Sequence, residues 1–252
     1  MTSKILRFHR SERLLHWAIA VPFLVCYTTA LILVVHYNPD PHRPYRMLFA
    51  WAHRISAFCF IVLPMLAAYR GRGDVRLHFY NIKQAWTWVF DDVKWLGVLL
   101  LSAVSSKFEL PKQGKFNAAE KVNFMVLMGT YPLYVLTGLT IWLTRGAFLA
   151  WVLHFLMALL ATPLILGHMY MAIISRSGRP GLQGMFSGFV DRHWARHHYH
   201  HWYKEHFEPE ASPASPEEDP SSPPEHDRVE TAMEDQRQNT RVPLCNESSV
   251  AS

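Results

Sequence analysis

Cysteine is scarce here: Cys26, Cys59 and Cys245 are the only three in 252 residues. They give no paired disulfide framework, no zinc-ligand spacing and no Cys-x-x-Cys-His motif for covalent cofactor attachment. Acidic residues are also scarce over most of the chain. Residues 1–207 hold 22 Lys and Arg against 9 Asp and Glu, whereas residues 208–252 hold 3 against 11. The basic residues flank apolar runs and form no single patch, which argues against nucleic-acid binding. The first apolar run is long and lacks a small-residue cleavage site behind a short core, so no cleavable signal peptide is expected.

Apolar surface is abundant, at 50% of residues. Four segments have the length needed to cross a hydrocarbon core of ~30 Å. They run over about 16–35, 47–69, 122–143 and 147–174. A shorter apolar run, Trp95 to Val104, is too short to cross and reads as an interfacial helix. Each span carries one proline: Pro22, Pro64, Pro132 and Pro163. Membrane helices tolerate proline where neighbours re-satisfy the freed carbonyls, and a kink can open room for a bulky cofactor. Trp17, Trp51, Tyr69, Trp142, Trp151 and Tyr170 gather near span ends, as an interfacial belt does.

Orientation follows from the basic residues. The N-terminal stretch, the loop between spans two and three, and the segment after span four carry most Lys and Arg; the opposite side has only Arg43, Arg46, Arg54 and Arg145. Both termini and the long loop are therefore expected in the cytoplasm. The domain reading is a membrane domain over 1–207, with a basic cytoplasmic segment at 175–207, and an acidic, Pro- and Ser-rich tail at 208–252. That tail has too few apolar groups to fold alone and is expected to be disordered.

Histidine is the informative polar residue. His16, His53, His154 and His168 lie in or at the edges of the spans. Polar groups in a bilayer are costly and default to function. Helical bundles that carry haem use histidine as axial ligand. His154 and His168 are 14 residues apart, roughly 21 Å along a helix, and within about 40° of the same face. Depth pairs His53 with His154 on the outer side and His16 with His168 on the inner side. Two non-covalent haems would then stack about 20 Å apart across the bilayer. A lone membrane histidine is also at home in packing or hydrogen bonding; two depth-matched pairs point to ligation. His36, at the end of span one, is the nearest competitor on the outer side.

Three blocks carry a family resemblance. They are Arg13-Leu14-Leu15-His16-Trp17; Lys115-Phe116-Asn117-Ala118-Ala119-Glu120-Lys121; and His168-Met169-Tyr170-Met171-Ala172 running through Gly184-Met185-Phe186-Ser187-Gly188 to Trp194-Ala195-Arg196 and Trp202-Tyr203. Over about 7–207 the chain resembles the gamma subunit of membrane-bound respiratory formate dehydrogenase. That family is a dihaem cytochrome b of four membrane helices. The resemblance implies an all-α four-helix bundle in a bacterial inner membrane, with two haem b on the same histidine pairs. It implies a quinone acceptor, menaquinone or ubiquinone, near His168 and Asn117, and no formate chemistry in this chain. It implies an iron–sulfur (beta) partner and a molybdenum- or tungsten-pterin catalytic (alpha) partner. Ala119 and Glu120 depart from the Gly and Gln more common there; Glu120 is expected as a solvated loop carboxylate.

The first block is shared with hydrogenase and thiosulfate-reductase cytochromes, so a dihaem cytochrome b of another respiratory dehydrogenase is the alternative; a haem-free membrane scaffold is the other. Arg10, Arg13 and Arg54 lie close enough to the ligands to meet haem propionates. The cluster His193, His197, His198, His200, His201 and His206 invites a metal site, but a surface segment touching lipid headgroups or a partner is the expectation taken.

Overall fold

The structure, a computed structural model, describes residues 3–104 and 111–208. Beyond Glu208 the expected tail lies outside the described residues. Strand β1 (Lys4–Leu6) leads into α1 (Arg10–Ile32), which continues as a π-helical turn to Tyr37. Then come α2 (Arg46–Arg70), α3 (Val75–Trp86), α4 (Phe90–Val104), α5 (Ala118–Leu143) and α6 (Phe148–Met169), the last extended by a π-helical turn to Ile174. A C-terminal group follows: α7 (Arg179–Ser187), β2 (Phe189–Asp191), α8 (Arg192–His198) and α9 (His200–Phe207).

Four of these helices are long and apolar enough to cross a membrane: Arg10–Tyr37, Arg46–Arg70, Ala118–Leu143 and Phe148–Ile174. They match the expected spans, with two earlier starts. α1 begins at Arg10 because the Glu12 carboxylate accepts from the His9 backbone N–H at 2.7 Å. α5 begins at Ala118 because Asn117 and Glu120 cap it reciprocally: Asn117 Oδ1 accepts from Glu120 N, and Glu120 Oε2 accepts from Asn117 N, both at 2.9 Å. This exchange satisfies two backbone donors that a helix start leaves free. α5 turns into α6 through Arg145 (φ 57°) and Gly146 (φ 112°), consecutive left-handed residues that reverse the chain in a few positions.

The helices run through their prolines without a break. The bundle is stitched by polar side chains in an apolar setting. Ser56 donates to the Pro22 carbonyl at 2.8 Å, joining α2 to α1. Tyr27 and Thr162 hydroxyls meet at 2.6 Å, joining α1 to α6. Outward-facing residues such as Val35, Leu66, Leu136 and Leu160 are exposed, which is the surface lipid would cover. One end of the bundle, the basic end, holds both termini of the described segment and most basic residues. The other, with the 38–45 loop and the 144–147 turn, is called the turn end.

The basic end is more structured than the sequence suggested. α4 carries the short apolar run, and is too short to span at 15 residues. Its first turn is tied to α5 by a buried ion pair: Lys121 Nζ donates to Asp92 Oδ2 at 2.7 Å and to the Thr87 carbonyl at 2.9 Å. The stretch 175–207, expected only as a basic surface segment, folds into a cap. β1 pairs antiparallel with β2, with Ile5 opposite Val190. Around them Ala195, Tyr199, Trp202 and Tyr203 complete a buried cluster. Arg7 is 2% exposed. Its guanidinium lies 3.6 Å from the Tyr199 ring centre and 4.5 Å from that of Trp202, a cation–π stack that favours a buried charge. Gly188 (φ 91°) closes α7, and its carbonyl accepts from both Arg7 N and Phe8 N.

Candidate functional site

At the turn end, α2 presents His53 and α6 presents His154, with ring centres 6.5 Å apart. Both line an open cavity of about 170 Å³. Its walls include Phe23, Tyr27, Phe60, Tyr134 and Trp142, with Arg54 as the one charged lining residue. A mostly apolar cavity with few convergent polar groups is the usual form of a cofactor site.

The outward nitrogen of each imidazole is held by the protein. His53 Nδ1 lies 3.0 Å from the Cys26 carbonyl and 3.1 Å from Thr29 Oγ1. A carbonyl only accepts, so Nδ1 carries the proton and donates. His154 Nδ1 lies 2.8 Å from Thr137 Oγ1. The Thr137 hydroxyl already donates to the Leu133 carbonyl at 2.6 Å, so it accepts from His154 Nδ1–H. Both rings therefore keep an unprotonated Nε2, the form that binds a metal. The sequence analysis missed Thr29, Thr137 and the Cys26 carbonyl. A signal existed: Thr137 and His154 lie equally far from the Arg145–Gly146 turn, eight residues on either side.

At the basic end, α1 presents His16 and α6 presents His168, with ring centres 6.4 Å apart. His16 sits well inside α1, whereas the sequence placed it at the helix mouth; the earlier cap at Glu12 accounts for the difference. Trp17 stacks on Phe186 at 4.7 Å and donates to the Met185 carbonyl at 3.1 Å. Arg13 donates to the Phe186 carbonyl. These contacts hold α7 beside the pair.

The spacing can be tested against haem. A metal bound by two imidazoles at about 2.0 Å each, with each ring centre about 1.1 Å behind its nitrogen, puts the centres about 6.2 Å apart. Both pairs stand within a few tenths of an ångström of that value, and the turn-end pair lines one apolar cavity. The residues fit a bis-histidine haem.

Asn117 caps α5 through Oδ1, which leaves its amide N–H groups as the donors for a ligand. Glu120 differs from the expected solvated loop carboxylate. It is half-buried at the third position of α5, and its Oε1 accepts from the Tyr199 hydroxyl at 2.7 Å. Burial, and then the Glu120 carboxylate, push the Tyr199 phenol well above its usual range. Nearby, Lys115 Nζ pairs with Glu12 Oε1 at 3.0 Å, and Asn81 donates to the same oxygen at 2.6 Å. Burial holds Lys115 below the usual lysine range, although Glu12 pulls the other way.

Of the remaining candidates, His36 hydrogen-bonds Arg43 at 3.0 Å, and no contact with the turn-end pair is among its interactions. Arg54 packs near Trp51 and lines the turn-end cavity. His198 and His206 bond backbone carbonyls of their own helices. Among the described residues no three His, Cys, Asp or Glu side chains are grouped as a metal ion would need.

These features define a class: a four-span helical bundle with two histidine pairs, one at each end of α6. Residues 7–188 match the family model for prokaryotic cytochrome b561, and the chain belongs to that family. It is a multi-pass membrane cytochrome, and membership implies haem b. Curated relatives carry the motif resemblance further. The cytochrome b556(Fdn) subunit of the nitrate-inducible formate dehydrogenase of Escherichia coli K12 is 29% identical over 136 residues, covering 50% of this chain and 60% of that protein. The formate dehydrogenase cytochrome b556 subunit of Haemophilus influenzae is 23% identical over 230 residues, covering 81% and 84%. The putative cytochrome YdhU of E. coli K12 is 25% identical over 202 residues, 74% of each chain. The match to the first of these thus spans less than two thirds of that relative's length.

Proposed function

We propose that this chain is the cytochrome b membrane subunit of a formate dehydrogenase, linking an iron–sulfur partner to membrane quinone. His53 and His154 hold a haem b at the turn end, and His16 and His168 hold a second at the basic end. The single observation that carries this is the histidine spacing: two pairs, at opposite ends of one helix, with ring centres 6.4 and 6.5 Å apart, near the separation a shared iron would need.

When bound, haem supplies one-electron redox chemistry. The chain supplies the rest. Thr137, Thr29 and the Cys26 carbonyl hold the turn-end rings in one tautomer. The apolar wall of Phe23, Phe60, Tyr134 and Trp142 excludes water. At the basic end Asn117 offers an uncharged amide donor to a quinone carbonyl near His168. The basic residues orient that end, and both termini, to the cytoplasm of a bacterial inner membrane. The catalytic partner with its molybdenum or tungsten pterin sits on the opposite side, through the iron–sulfur subunit. Formate chemistry belongs to that partner.

The test is reduction by donor. The complex is purified in mild detergent from membranes of cells expressing the tagged chain. Formate is expected to reduce its b-type absorption bands, and hydrogen or thiosulfate is not. Reduction by hydrogen alone, or oxidation by thiosulfate with no response to formate, would move the chain to the alternative respiratory dehydrogenases.

A further inference from the structure

The two histidine pairs differ in what stands behind them. At the turn end both Nδ1–H groups donate to acceptors of the chain: His154 to Thr137, His53 to the Cys26 carbonyl and Thr29. At the basic end neither the His16 nor the His168 imidazole is hydrogen-bonded to a described residue, and His168 is exposed. Thr29 is 7% exposed, and Thr137 lies where α5 and α6 face each other. Thr137 is half-buried within the chain, and lipid rather than water would cover the rest of it.

A hydrogen bond from Nδ1–H shifts negative charge onto the imidazole and makes Nε2 a stronger donor to iron. A stronger donor favours the ferric over the ferrous state, and so lowers the reduction potential. Low local dielectric leaves such a bond unscreened. We propose that Thr137, with Thr29 and the Cys26 carbonyl, is a positioning and tuning residue. It sets the potential of the turn-end haem below that of the basic-end haem. This rests on the ligand pairs proposed above. The asymmetry runs in the direction already proposed, from the turn end toward the basic end, and assigns the side chains that set it.

Thr137 is the natural place to probe, because its acceptor is a side chain while that of Cys26 is backbone. Thr137→Val keeps the shape and removes the acceptor. Thr137→Ser restores it. Thr140→Val is the control, since Thr140 donates only to the Leu136 carbonyl of its own helix. The full chain, loaded with haem in detergent, is titrated spectroelectrochemically, with haem content measured on the same samples.

Thr137→Val is expected to raise the lower-potential component alone. The change is a several-fold to tenfold loss of ferric preference; tenfold is about 59 mV for a one-electron couple. Thr137→Ser is expected to return it, and Thr140→Val to move neither component. Two haems with unchanged potentials in Thr137→Val would overturn the proposal, as would movement of the higher-potential component instead. Should Thr137→Val fail to hold the haem, Thr29→Val decides. It leaves the Cys26 carbonyl in place and is expected to raise the same component by less; no shift there overturns the proposal. A wild-type chain with fewer than two haems would instead fail the ligand assignment, before any potential is read.

Discussion

The Tyr131 hydroxyl donates to the carbonyl of Phe60 at 3.0 Å. That carbonyl lies one turn before Pro64, the position whose missing N–H would otherwise have bonded it. α5 thus completes the hydrogen bonding of α2 within the bilayer, where no water can. Tyr131→Phe is expected to cost about 1 kcal/mol of stability. In a Pro64→Ala background the helix supplies its own donor, and the same change is expected to cost less. Thermal stability of the four proteins in detergent reads that coupling; equal costs in both backgrounds would contradict the assignment.

The Asp92–Lys121 pair gives a second expectation. Asp92 is 1% exposed, and its Oδ2 accepts from Lys121 Nζ and from Val89 N. Lys121→Met strands a buried carboxylate, an effect on the order of 3–5 kcal/mol. The double change Asp92→Leu with Lys121→Met is expected to recover most of that loss. Limited proteolysis of the 75–117 loop should show the single variant cut faster and the double variant restored.

At Asn117 two roles can be separated. Asn117→Ala removes the α5 cap, at about 1 kcal/mol. Asn117→Ser keeps a good cap and removes the amide donors. If Asn117 contacts quinone, Asn117→Ser should leave thermal stability near wild type while quinone reduction falls by tenfold or more. Unchanged turnover in the serine variant would reduce Asn117 to a cap.

Ligand assignment predicts selective loss. His154→Ala or His53→Ala should remove one haem and leave the basic-end one, while His16→Ala or His168→Ala should do the converse. His36→Ala should keep both. Pyridine haemochrome assay of each purified variant checks this, and a His36→Ala chain short of one haem would reassign the turn-end pair.

The four spans were legible because long apolar runs and flanking Lys and Arg are local signals. That His53 lies beside His154 and His16 beside His168 was legible because depth along a helix is fixed by residue number. The cap was not. Arg7 reaches the Lys115 carbonyl, and Arg13 that of Phe186, across more than a hundred residues of sequence, and α7 to α9 are short helices stabilised by that convergence. Thr29 and Thr137 were passed over for another reason. Threonines in membrane helices commonly bond their own carbonyls one turn back, as both do here, so residue type alone marks neither. Glu120 read as a loop carboxylate because the start of α5 was placed at Val122, past the cap that defines it.

The most direct measurement is haem content on the purified full chain, expressed with ample haem, together with a dithionite-reduced minus oxidised spectrum. Two b-type haems per chain are expected. One haem would mean that only one histidine pair is a ligand set, and well-folded protein with none would contradict haem ligation by either pair.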